Sequence, residues 1–245
     1  MTVEFSYLFG ILLLLVAFLY ASVGHGGASG YLALMALFGF APEVMRPTAL
    51  VLNIFVASIA FLTYFRGGYF SWKLFWPFAI AAIPAAYLGG LLSVPVTIYK
   101  QLLGLLLLFP AIRFLWPTET LQQANRPLFL PAALIIGAAI GLLSGMIGIG
   151  GGIILSPLLL LLGWATVKQS AAISALFIVV NSIAGLAGQL RHGVDFTSEM
   201  AVMVGIAVLG GLAGSWAGAF KFPQKALKIS LAVVLLIAAL KLLFT

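Results

Sequence analysis

The sequence has no cysteine, only five acidic residues and two histidines in 245 positions, and 7% of its residues are charged. The missing cysteines exclude disulfides, thiolate metal sites and thiol relays, and carry no information on compartment. The acids Glu4, Glu43, Glu119, Asp195 and Glu199 all fall in loops or at segment ends. No carboxylate pair, metal-ligand spacing or phosphate loop can be assembled from this inventory, so no catalytic, metal or cofactor site is expected and the chain does not read as an enzyme. The lack of acids within the apolar runs also argues against a cation carrier. Soluble domains carry about 25% charged residues. This chain is instead 64% hydrophobic with a mean hydropathy of +1.24, which reads as an all-α polytopic protein of the lipid bilayer. The net charge of +7 comes from Lys and Arg scattered through loops, a mark of membrane topology and not of a nucleic-acid partner. Residues 1–45 hold no Lys or Arg, so the charged start of a signal peptide is missing and the first apolar run is expected to stay as a helix.

Ten apolar segments can be read, at about 5–23, 28–40, 47–65, 73–93, 98–116, 128–147, 152–163, 170–190, 198–219 and 225–244. Most approach the ~20 residues that span a hydrocarbon core. The second and seventh are shorter, 13 and 12 residues, and at 1.5 Å per residue reach only roughly 18–20 Å. The spacing between landmarks repeats: Gly24 pairs with Gly148, Gly39 with Gly163, Arg66 with Arg191, Gly89 with Gly214 and Lys100 with Lys225, an offset of 124 that becomes 125. A first membrane repeat over 1–116, a linker over 117–127 and a second repeat over 128–245 are therefore expected within one membrane domain. Five segments per half invert the second repeat relative to the first. With that topology eight Lys and Arg fall on one side and four on the other, which places the first side in the cytoplasm and both termini outside it. Counting each broken segment as one crossing instead splits the charges six to six.

The two shorter segments each follow a glycine cluster, Gly24-His25-Gly26-Gly27 and Gly148-Ile149-Gly150-Gly151-Gly152. Non-helical backbone at membrane depth is tolerated only where protein buries it or where it lines a cavity. Helices beginning near Ala28 and Gly152, broken or re-entrant, would aim unpaired N–H groups and a partial positive charge into the protein. Glycines leading into them let an anion approach the backbone. Around these breaks lie Ser29, Asn53, Ser174 and Asn181. The two Asn side chains are expected to face the bundle interior, for binding or for assembly. His25 is the one ionisable group expected at depth, able to hold an anion when protonated, relay a proton or merely bond a carbonyl. Its counterpart is Ile149.

These residues carry a resemblance. Ala21-Ser22-Val23-Gly24-His25-Gly26-Gly27-Ala28-Ser29-Gly30-Tyr31, Arg46-Pro47-Thr48-Ala49-Leu50 with Asn53, the glycines 145, 148, 150, 151 and 152, Ser174-Ala175-Leu176-Phe177 and Asn181-Ser182 resemble the TauE/SafE family over essentially the whole chain. The resemblance implies a multi-pass transporter of the cytoplasmic (inner) membrane with about eight crossings, exporting sulfite, sulfoacetate or related organosulfonates.

The expected function is therefore a secondary transporter of a small sulfur-containing anion, working by alternating access between two inverted repeats. The substrate-binding candidates are His25, Gly26, Gly27, Ser29, Asn53, Gly150, Gly151, Gly152, Ser174 and Asn181. Proton coupling and a homo-oligomer stay open. An anion channel using the same breaks is the alternative. A membrane anchor subunit of a redox enzyme is a third, in which one membrane histidine and no cysteine exclude a bis-His haem.

Overall fold

A computed structural model describes residues 7–22, 26–115, 126–220 and 224–244. Gly24, His25 and most of the 117–127 linker lie outside the described residues. The described chain forms α1 (Tyr7–Ser22), α2 (Ala28–Leu37), α3 (Pro42–Arg66), α4 (Trp72–Leu91), α5 (Val96–Leu115), α6 (Leu130–Ile147), α7 (Gly152–Leu161), α8 (Val167–Gln189), α9 (Ser198–Phe220) and α10 (Gln224–Phe244), with a 3₁₀ turn at Leu190–His192. There is no strand among the described residues. Five helices are long and apolar enough to cross a membrane. Large apolar side chains such as Ile11, Leu105, Ile135 and Leu209 point outward, as a lipid solvent requires, while Asn53, Asn181 and Ser182 are fully buried.

The short helices α2 and α7 are 10 residues each, shorter than the apolar runs that contain them. At about 15 Å each covers roughly half of a hydrocarbon core. Both stop at a left-handed glycine, Gly39 (φ 78°) and Gly163 (φ 69°). Each glycine is followed by a bond that reaches five residues back, Phe40 N–H to Met35 O and Trp164 N–H to Leu159 O. Such a bond satisfies a carbonyl the helix has left open. The two helices start alike as well. Gly27 (φ 96°) and Gly151 (φ 78°) precede them in left-handed conformation with no side-chain cap. Only glycine adopts that backbone without strain.

The long helices pack closely on one another: α4 lies on both α6 and α8, α1 on α9, α3 on α8 and α5 on α10. The closest seam is α4 against α6, where Gly137, Gly141 and Gly145 recur every four residues. A Cβ on any of them would strike the α4 backbone, at Phe78, Ala82 and Ala86 respectively. Small residues at this spacing let membrane helices approach backbone to backbone, where dispersion supplies the attraction. The α1–α9 contact repeats the pattern, and position for position: Gly89 of α4 meets Leu142 O of α6, and Gly214 of α9 meets Phe18 O of α1.

Cations close helix ends. The Lys241 ammonium of α10 donates to Ala36 O at 3.1 Å and Leu37 O at 2.9 Å, the last carbonyls of α2. Arg46 Nη2 donates to Leu92 O at 3.3 Å beyond the end of α4. Lys241→Met is expected to cost about 1 kcal/mol. Hydrogen exchange measured by mass spectrometry should then rise at Phe38–Phe40, whose amides bond back into α2, and stay unchanged in α7.

Candidate site between the two glycine breaks

The breaks converge on one place. A Cβ on Gly26 would lie 3.3 Å from Asn53 Oδ1, 3.2 Å from Ala57 Cβ and 3.2 Å from Ile178 Cδ1. A Cβ on Gly150 would lie 2.6 Å from Asn53 Nδ2, 2.9 Å from Ile178 Cγ2 and 3.1 Å from Ser182 Oγ. Asn53 of α3 and Ile178 of α8 therefore stand between the two glycines; a side chain at Gly150 would collide with Asn53, and one at Gly26 would need its neighbours to give way by a few tenths of an ångström. Where a Cβ on Gly185 would approach Leu50 of α3, the α3–α8 register continues. Residues 50, 53 and 57 meet 185, 182 and 178 in descending order, so the helices run antiparallel.

Several expected site residues take definite places. Asn53 Nδ2 donates to Ile149 O at 3.3 Å, tying α3 to the second break. Gly27 lies under the Tyr31 ring, whose Oη would be 2.7 Å from a Cβ there. Ser29 is buried, with its hydroxyl 2.7 Å from Tyr20 Oη. A Cβ on Gly151 would lie 2.6 Å from Ile140 Cγ2 and 3.0 Å from Phe177 Cε1, and one on Gly152 would lie 2.8 Å from Ser174 O. Asn181 is fully buried and neither of its amide atoms has a hydrogen-bond partner. The Ser174 hydroxyl accepts from Ser156 Oγ at 3.0 Å, and Ser170 Oγ donates to Ser156 O at 2.9 Å. That serine cluster fastens α7 to α8. His25, the charged member of the expected set, lies outside the described residues.

Gly26, Gly27, Ala28 and Ser29 line a small cleft with Tyr20, Ile149, Ile153 and Ile178, with space for about one water molecule. Asn53 Oδ1 and Ser182 Oγ, on side chains that adjoin Gly150, are buried without partners, as are both polar atoms of the Asn181 amide, one position earlier in α8. Buried polar groups are almost always paired, and each exception needs a physical reason. Here the Asn53 and Ser182 side chains sit against Gly150, just ahead of the uncapped start of α7. Neutral donors around a helix start form an environment that can receive an anion. Ile178 and Tyr20 escape the sequence reading because an apolar residue and an aromatic in a membrane helix give no local signal.

The profile described as "Sulfite exporter TauE/SafE" matches residues 9–242. The chain belongs to the TauE/SafE family. This TauE/SafE chain is 37% identical over 235 residues to "Probable membrane transporter protein y4hK" of Sinorhizobium fredii, covering 94% of each chain. It is 31% identical over 128 residues to "Probable membrane transporter protein MJ0441" of Methanocaldococcus jannaschii, covering 51% of this chain and 48% of that one. No solved structure matches. The family and these relatives place the TauE/SafE chain among multi-pass membrane transporters and point away from an enzyme.

Proposed function

We propose that this protein carries a small sulfur-containing anion, such as sulfite or an organosulfonate, across the cytoplasmic membrane by alternating access. The observation that carries the reading is the meeting of both glycine breaks at Asn53 and Ile178. The anion would be held by backbone N–H groups at the starts of α2 and α7 and by the side chains of Asn181 and Ser182, with Asn53 lining the site between the breaks and its free Oδ1 available to a hydroxyl of the ligand. Ser29 and Ser174, whose hydroxyls bond Tyr20 and Ser156, would brace the lining. His25, next to Gly26 in the chain, would add charge or couple a proton.

The alternation would come from two inverted repeats, 1–116 and 128–245, rocking about the α3–α8 crossing, with both termini outside the cytoplasm. Support comes from the antiparallel run of α3 and α8 and from the matched pairs Gly27 and Gly151, Gly39 and Gly163.

The test is flux in proteoliposomes with sulfite, sulfate, thiosulfate and sulfonates, with and without a pH gradient. Saturable uptake of a sulfur anion is expected, together with a loss of about tenfold or more in His25→Ala, a size typical of a lost charge-assisted contact. No transport of any of these anions would overturn the reading. Non-saturating flux of millions of ions per second, an order of magnitude far above conformationally gated turnover, would replace the carrier with a channel.

A further inference from the structure

The amide of Asn53 has a direction. Ile149 O can only accept a hydrogen bond, so the nitrogen of Asn53 must face it, and the 3.3 Å contact is made by Nδ2. The oxygen is thereby turned to the other side, toward Gly26. Asn53 is fully buried and its Oδ1 has no partner. Between the two breaks, next to helix starts that present donors, the protein holds one committed acceptor.

An acceptor facing a bare oxyanion repels it. The same acceptor facing an anion that bears a hydroxyl gains a hydrogen bond, and an analogue without that hydroxyl leaves a buried group unpaired. The charge of the lining points the same way. The fully buried polar side chains among the described residues are neutral, namely serines, Thr48, Asn53, Asn181 and Gln189, and one cation stands beside the second break: Arg46, whose backbone oxygen a Cβ on Gly148 would meet at 3.0 Å and whose Nε is buried without a partner. The cost of moving an ion out of water grows with the square of its charge, and only a matching fixed charge offsets it. A dianion costs about four times as much to desolvate as a monoanion by that scaling.

Resting on the transporter reading above, we infer that the site takes its oxyanion singly charged and protonated on oxygen, as hydrogen sulfite and not as the sulfite dianion, with Asn53 Oδ1 receiving the ligand's hydroxyl. The dianion sulfate is disfavoured twice, by its larger desolvation cost and by turning only bare oxygens to the Asn53 acceptor. Methanesulfonate, a monoanion with a methyl group where hydrogen sulfite has its hydroxyl, is held more weakly, because it leaves Asn53 Oδ1 unpaired.

The test is competition against labelled sulfite in proteoliposomes, run from mildly acid to mildly alkaline pH. Protein groups could also titrate. Of the helices packed on α3, α1 brings Tyr20 and α2 Tyr31; α8 and α9 bring ionisable side chains only at their starts, Lys168 and Glu199; His25 precedes Gly26. Methanesulfonate controls for all of them, because its own charge is constant over this range. Sulfite flux at fixed total concentration should rise toward acid pH in proportion to its monoanion. Sulfate should not compete, and methanesulfonate should compete about tenfold more weakly than hydrogen sulfite. Asn53→Ala should bring those last two anions within about threefold of each other, the residue of a lost hydrogen bond. Flux that follows the dianion, competition by sulfate, or methanesulfonate equal to sulfite in the unmodified protein would overturn the inference and leave the transporter reading standing. If no sulfur anion moves at all, both fall together. The measurements on the unmodified protein decide the matter even if Asn53→Ala does not fold.

Discussion

Gly151→Val should reach the membrane and transport sulfite at less than a tenth of the normal rate, on the order of the penalties below. Two costs add at this position. Gly151 has φ 78°, a conformation in which a β-branched side chain is a severe outlier. Its new Cβ would also lie 2.6 Å from Ile140 Cγ2 and 3.0 Å from Phe177 Cε1. Left-handed backbone costs about 1–2 kcal/mol and overpacking about 1–3 kcal/mol. α7 can escape only by tilting, which moves the N–H groups that would hold the anion. Gly193→Ala supplies the contrast. Gly193 has the same φ of 78° but no atom within 4 Å of a new Cβ. It carries the backbone cost alone, far from the breaks, and sulfite flux per folded molecule should be unchanged. Initial rates normalised to monodisperse protein separate the two, and normal flux in Gly151→Val would remove the second break from the site.

Gly145→Val should damage the fold itself, lowering stability by about 3 kcal/mol or more. A Cβ at Gly145 would be driven into Ala86 O and would lie 2.8 Å from Gly90 N. These are backbone atoms of α4 and no rotamer change relieves them. The Gly145 carbonyl also accepts from Gln189 Nε2 at 3.0 Å, so displacing α6 disturbs α8 as well. We expect little monodisperse protein in detergent and a lowered thermal midpoint. Gly205→Ala, where a Cβ meets nothing within 4 Å, should stay within about 1 kcal/mol of the parent. Similar yields and midpoints for both variants would show that the α4–α6 seam is not the tight contact described above.

Helix positions were readable from hydropathy, and their ends were less so. The expected 28–40 and 152–163 end at Leu37 and Leu161. Phe38, Phe40 and Leu162 are apolar outside a helix, and hydropathy does not register the left-handed glycines at 39 and 163. α3 starts at Pro42, earlier than the expected 47, because proline suits a first turn; Pro47 then stands inside the helix, where it removes one backbone donor. α8 starts at Val167, not 170, through a capping box between Thr166 and Gln169 that the sequence displays. In the candidate site, the burial of Asn53 and Asn181 followed from the cost of an amide in a membrane helix. That Asn53 stands between both breaks did not, since it depends on the α3–α8 register, which no local pattern encodes. Ser174 joins the serine cluster at Ser156 for the same reason: spacing within one helix says nothing about its neighbour across the bundle.

The helix pairs α1 with α9 and α4 with α6 also set an order of events during synthesis. α1 leaves the ribosome long before α9 exists, and α4 must wait for α6, so the early helices lie against lipid until the later ones arrive. A chain cut between residues 116 and 128 would leave each fragment with its closest-packing surfaces bare, and the two pieces would have to find each other in the bilayer to regain them.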